Sequence, residues 1–159
     1  MGNSHKKVIL SAIAASFIVA HGGGYAQDIQ DDKKLVQDAQ KLNNYTYQFS
    51  TGDVIKTELG KTHLSKDDKN KIKHLTITAA KGQTGSLKFE GTTGKRASIG
   101  GDLENGYSFN LTADSVMFQG QNPGDASIVV GNGHGVINAK NGVTMTQGTI
   151  ELAKGSLFK

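Results

Sequence analysis

The strongest constraint on this chain is a pattern of very short alternating runs closed off by glycine. Leu75-Thr76-Ile77-Thr78, Leu87-Lys88-Phe89, Phe109-Asn110-Leu111, Val116-Met117-Phe118, Val143-Thr144-Met145 and Ile150-Glu151-Leu152 all repeat with period two. Ile128 to Val130 is continuously apolar. Period two with Thr, Val and Ile marks strands with one face buried. Glycines from Gly82 to Gly155 interrupt the runs and supply sharp corners. The runs span three to five residues, against about five or six for sandwich strands. Leu87 to Phe109 is 22 residues, Phe109 to Ile128 is 19, and Ile128 to Ile150 is 22. Val116, Val136 and Leu157 form a second series at steps of 20 and 21. Repeats near this length predict a mainly β chain wound as a parallel β-solenoid, with those residues as its inward column. The alternative is an antiparallel β-sandwich. Asn105-Gly106, Asn132-Gly133 and Asn141-Gly142 suit hairpins as well as solenoid corners.

Ahead of the strands, residues 27–44 read as a helical lead or cap. Ile29, Leu35, Val36, Ala39 and Leu42 share a face at helical spacing. Asp28, Asp31 and Asp32 complement its first turns, and Lys41 its last. Residues 45–159 form the Gly-rich strand domain, with Tyr45, Tyr47 and Phe49 as its first alternation. Residues 61–73 mix Lys66, Asp67, Asp68, Lys69, Lys71 and Lys73, as expected of a solvated loop.

Residues 1–26 read as a signal peptide. Lys6 and Lys7 precede an apolar stretch from Val8 to Ala20, followed by Gly22 to Gly24, Tyr25 and Ala26. Cleavage is expected after Ala26, with Gly24 and Ala26 as the small residues before the cut. The apolar stretch is 13 residues, too short for a membrane span of about 20. The remaining chain holds 16 basic against 14 acidic residues, so the formal charge of +4 is partly the signal's and gives no reason to expect nucleic acid as a partner. Cysteine is absent, which removes disulfides, thiolate metal sites and a cysteine nucleophile. The strand pattern continues through Ser156-Leu157-Phe158, almost to Lys159. Such an end would present unpaired backbone groups, so the expectation is a longer product, a covering partner, or self-association there.

Signal, short helical lead and cysteine-free Gly/Asn/Thr-rich repeats, such as residues 142–152, together resemble the N-terminal part of a bacterial autotransporter passenger. The residues carrying the resemblance are Lys6 to Ala26 and the repeats from Leu75 to Phe158. The resemblance implies a right-handed β-solenoid on the surface of a Gram-negative bacterium, engaged in adhesion to glycans or proteins of host or neighbouring cells. It also implies a membrane anchor through a C-terminal β-barrel, for which this sequence has no strand series. A periplasmic location is the alternative.

No catalytic, cofactor-binding or metal-ligating residue is assigned. His134, within Gly131-Asn132-Gly133-His134-Gly135, is the most suggestive histidine, yet it reads as a solvent-facing corner without an orienting partner. Gly91-Thr92-Thr93-Gly94-Lys95-Arg96 fails as a phosphate loop, because Phe89 stands where a glycine is required and Arg96 where a hydroxyl is required. It reads as a turn. Asp102, Asp114 and Asp125 are too isolated for a calcium loop. Asn44-Tyr45-Thr46 and Asn110-Leu111-Thr112 match a glycan-acceptor pattern that a bacterial product would not use. The functional expectation is an exported, non-enzymatic adhesin-like protein. The alternatives are a polysaccharide-acting solenoid enzyme using Glu90, Glu104, Asp114 or Asp125, and a small secreted or periplasmic β-domain that binds a partner.

Overall fold

In the computed structural model, residues 18–20, 25–33, 44–61, 72–79, 85–131 and 133–159 are described. The alternating runs become strands. In chain order they are β1 (Ile18–Ala20), β2 (Asp28–Ile29), β3 (Asn44–Phe49), β4 (Asp53–Ile55), β5 (His74–Ala79), β6 (Ser86–Gly91) and β7 (Ala97–Ile99). They continue as β8 (Ser108–Ala113), β9 (Ser115–Gly120), β10 (Ala126–Val130), β11 (His134–Ala139), β12 (Val143–Thr146), β13 (Gly148–Leu152) and β14 (Leu157–Phe158).

The strands assemble into three sheets whose strand pairings are all parallel. The first runs β1-β3-β5-β8-β11-β14, the second β12-β9-β6-β4-β2 and the third β13-β10-β7. From β5 onward the chain visits first, second and third sheet in rotation, so each circuit lies beside the one before. This overturns the antiparallel alternative. Asn141-Gly142 turns the corner from β11 in the first sheet to β12 in the second, where Gly142 N–H donates to Ala139 O at 3.0 Å. It does not close a hairpin. Asn105-Gly106 sits in a loop closed by a local bridge between Gly101 and Gly106.

Alternation explains the core. In β5, Leu75 and Ile77 are buried while Thr76 and Thr78 are only partly covered. Register then stacks like on like. Tyr45, Leu75 and Phe109 form one inward column, and Tyr47, Ile77 and Leu111 a second. Ile55, Phe89, Phe118 and Met145 form a third, in the second sheet. The Phe89 and Phe118 rings stack 4.7 Å apart with 10° between their planes, a separation that matches the spacing of paired strands.

The columns differ from those expected. Of the spaced pairs read from the sequence, Ile128 and Ile150 do align. Leu87 aligns with Val116, whereas Phe109 aligns with Leu75 and Gly135 in another sheet. Val136 pairs with Asn110, and Leu157 with His134. The period varies because corner length varies. Residues 100–107 connect β7 to β8, while Gln147 alone, at φ 57°, separates β12 from β13.

The lead also differs at its start. Asp28–Ile29 is a strand rather than the first turn of a helix. Val54 N–H donates to Gln27 O at 3.0 Å and Lys56 N–H to Ile29 O at 2.8 Å, so pairing with β4 takes the backbone groups a helix would use. Residues 34–43 of the expected helix lie outside the described residues, as do 1–17 and 21–24 of the leader and 62–71 of the charged interlude. Ile18–Ala20 pairs with β3, and Ile72, at the interlude's end, is buried.

Candidate functional site

Because inward positions are filled by core, the outward positions of the sheets carry whatever the protein presents. On the first sheet, Thr46, Thr76, Asn110 and Val136 line up across β3, β5, β8 and β11, as do Gln48, Thr78, Thr112 and Asn138. His74, Ser108 and His134 lie at the strand starts, where His134 N–H donates to Ser108 Oγ at 3.1 Å. None of these ladder positions is Asp, Glu, Lys or Arg. Partial burial favours the neutral form of His74 by lowering its pKa. The result is a face of hydroxyls and amides, both donors and acceptors, repeated at strand spacing.

The second sheet presents the opposite chemistry. Asp28, Val54, Lys88, Met117 and Thr144 align across its five strands. A groove of about 290 Å³ lies there, lined by Val54, Ser86, Lys88, Ser115, Met117 and Thr144 among others. Lys56 Nζ stands 2.9 Å from Asp28 and 3.6 Å from Glu90, and Lys88 stands 3.8 Å from Glu90. The hydrogen bond from Lys56 to Asp28 raises the pKa of Lys56; desolvation opposes it, and the Asp28 and Glu90 charges reinforce it. The network balances its charges and is open to water, so it orients side chains more than it stabilises the fold.

The residues singled out from sequence are dispersed. Glu90 belongs to this network, Asp114 lies between β8 and β9, and Glu104 lies in the loop ordered by Asp102 Oδ1, which accepts its N–H at 3.0 Å. Asp125 Oδ2 accepts Asn122 N–H at 2.8 Å. Residues 91–96 form the expected turn: Thr92 and Lys95 exchange two backbone hydrogen bonds of 2.9 Å. Arg96 pairs with Glu151. Asn110 lies within β8 and Asn44 opens β3. Among the described residues, no cluster of three or more His, Asp and Glu side chains is arranged to hold a metal ion.

Sequence reasoning missed three buried polar groups. Asp53, at the start of β4, accepts Gln27 N–H at 3.0 Å and Ser50 N–H at 2.8 Å. Asp32 accepts Gly60 N–H. The Tyr107 hydroxyl donates to Leu59 O and accepts Gly100 N–H at 3.0 Å. Burial raises the pKa of Tyr47 well above the ordinary phenol value, with the Asp53 and Tyr45 charges adding to it. The signal for Asp53 was present in Ser50-Thr51-Gly52-Asp53, a corner sequence in which an aspartate caps its own turn. Compared with known proteins, the chain matches no family model, no curated protein and no solved structure.

Proposed function

We propose that this chain is an exported structural and binding protein of the bacterial surface. In this reading it is a right-handed parallel β-solenoid of the adhesin kind, like the passenger of an autotransporter, and its outer faces meet glycans or proteins of host or neighbouring cells. The observation that carries the reading is the rotation of the chain through three parallel sheets in register from circuit to circuit. Right-handed winding follows from the strong preference of parallel crossovers for that hand. Export follows from the basic, apolar and small-residue order of residues 1–26. The hydroxyl and amide ladders of the first sheet suit a neutral polyhydroxylated partner, with many weak contacts adding along the stack.

The test is fractionation of Gram-negative cells expressing the tagged locus, followed by protease treatment of intact cells. The expected result is a processed product that external protease removes without lysis. A product that keeps residues 1–26 and stays in the cytoplasm refutes the reading.

A further inference from the structure

Gln27 is the first residue after the expected cleavage point, and it is also held tightly to the sheet stack. Its N–H donates to Asp53 Oδ1 at 3.0 Å, and its carbonyl accepts Val54 N–H at 3.0 Å. The residues just before it stand in solvent: Tyr25 is 84% exposed and Ala26 is exposed as well. Asp53 has 0% of its surface exposed. Its other oxygen accepts Ser50 N–H at 2.8 Å, and its own N–H donates to Ser50 O at 3.0 Å. The carboxylate is therefore fixed at the β3–β4 corner before any processing, aimed at the nitrogen of Gln27.

We propose that Asp53 is the built-in receptor for a new amino terminus: when the Ala26–Gln27 bond is cut, the α-ammonium of Gln27 forms an ion pair with the Asp53 carboxylate. This rests on the export reading above. Hydrolysis by a signal peptidase consumes one water. The Ala26 carbonyl carbon takes the oxygen and leaves with residues 1–26 as a carboxylate, and the Gln27 nitrogen takes the protons and becomes an ammonium. That nitrogen already lies at hydrogen-bonding distance, so a neutral N–H donor is replaced by a charged one without moving the chain. Charge-assisted hydrogen bonds are roughly twice as strong as neutral ones, and a buried carboxylate gains most from an opposite charge. The other charged or titratable groups on the elements around it are Asp28 on β2, Lys56 beside β4, which pairs with Asp28 and Glu90, Tyr45 and Tyr47 on β3, and Lys88 and Glu90 on β6. Processing would thus strengthen the existing hold of β2 on β4 once the leader has gone.

The test has two steps that fail separately. Amino-terminal sequencing of the exported product should give Gln27 first; any other first residue overturns the proposal and leaves the export reading standing, and an intact leader on a product that stays in the cytoplasm overturns both. The second step takes the product that starts at Gln27, at about pH 6, where an α-amine is charged, and compares it with its Nα-acetylated form. Acetylation keeps an N–H and removes the charge. The free-amine form should unfold with an equilibrium constant about tenfold smaller, and Asp53→Asn should abolish the difference. Equal unfolding of the two forms overturns the ion pair and leaves the export reading standing. Should Asp53→Asn fail to fold, the pH titration of the Gln27 Hα resonance decides. An amine pKa above about 8 supports the pair, and an ordinary or lower value overturns it.

Discussion

Alanine at three glycines separates two reasons for needing glycine and weighs one against the other. Gly124 has φ +87° and nothing within 4 Å of where a Cβ would stand. Gly91 lies outside the positive-φ region, but its Cβ would sit 1.7 Å from the Asp125 carbonyl oxygen. Gly100 has both problems, with φ +105° and a Cβ 1.7 Å from the Val129 carbonyl oxygen. Left-handed backbone costs a residue with a side chain about 1–2 kcal/mol, so Gly124→Ala should lose about that much. At Gly91 the obstacle is backbone. Asp125 O accepts Ala97 N–H at 2.9 Å and ties β7 to the residue before β10. Making room for a methyl group opens that contact by well over 1 Å, enough to forfeit the bond. Losing a buried hydrogen bond costs about 1–3 kcal/mol, and overpacking strain adds about 1–3. Gly91→Ala should therefore lose about 2–6 kcal/mol, and Gly100→Ala more than either. Urea unfolding followed by circular dichroism, with unchanged slopes, measures all three. If Gly91→Ala falls within about 0.5 kcal/mol of Gly124→Ala, the close stacking of circuits at this corner is refuted.

Tyr107→Phe keeps the ring but strips the partner from Leu59 O and Gly100 N–H, and should cost about 1–3 kcal/mol in urea unfolding. Burial holds Tyr47 and Tyr107 protonated far above the ordinary phenol range. The unfolded chain sheds these protons first, so stability should hold below about pH 10 and fall as pH rises beyond it; phenolate absorbance should follow unfolding rather than precede it. His74 has the opposite sense. Its folded pKa is depressed by burial, so its contribution is present above about pH 6.5 and is lost as pH falls through the depressed value. His74→Gln should flatten the acid limb of a melting-temperature profile.

The strands were legible because alternation is local: Leu75, Ile77, Leu87, Phe89, Phe109 and Leu111 fall inward as their spacing implies. Their pairing was not legible, since it depends on corner lengths, and those depend on tertiary closure. Leu75 and Phe109 meet across 34 positions, Leu87 and Val116 across 29, and Ile128 and Ile150 across 22. A search for one fixed period finds the last and misassigns the others. The helix expected from Asp28 shows the same limit. A thin apolar stripe gives marginal helix, and two backbone bonds to β4 outweigh it at Asp28 and Ile29. The outward faces were invisible for a related reason. Thr76, Asn110 and Val136 become neighbours only once register is fixed, so no spacing in the sequence marks them as one surface.

Stacking also predicts that position along the column, rather than side-chain type, sets what a core residue contributes. Ile99, Ile128 and Ile150 occupy one register row on β7, β10 and β13. Their exposures are 0%, 1% and 48%. The same contrast separates Val130, at 0%, from its partner Leu152, at 53%. Ile128 has a strand on each side, so Ile128→Ala removes buried methyl groups and leaves an enclosed void, a loss of about 2–5 kcal/mol. Ile150 is half in water already and encloses nothing when shortened, so Ile150→Ala should lose about 1 kcal/mol or less. Chemistry, strand type and facing direction are alike in the two substitutions, and only the covering layer differs. Equal losses in urea unfolding would mean that the circuits do not bury one another, and the stacked arrangement would have to be abandoned.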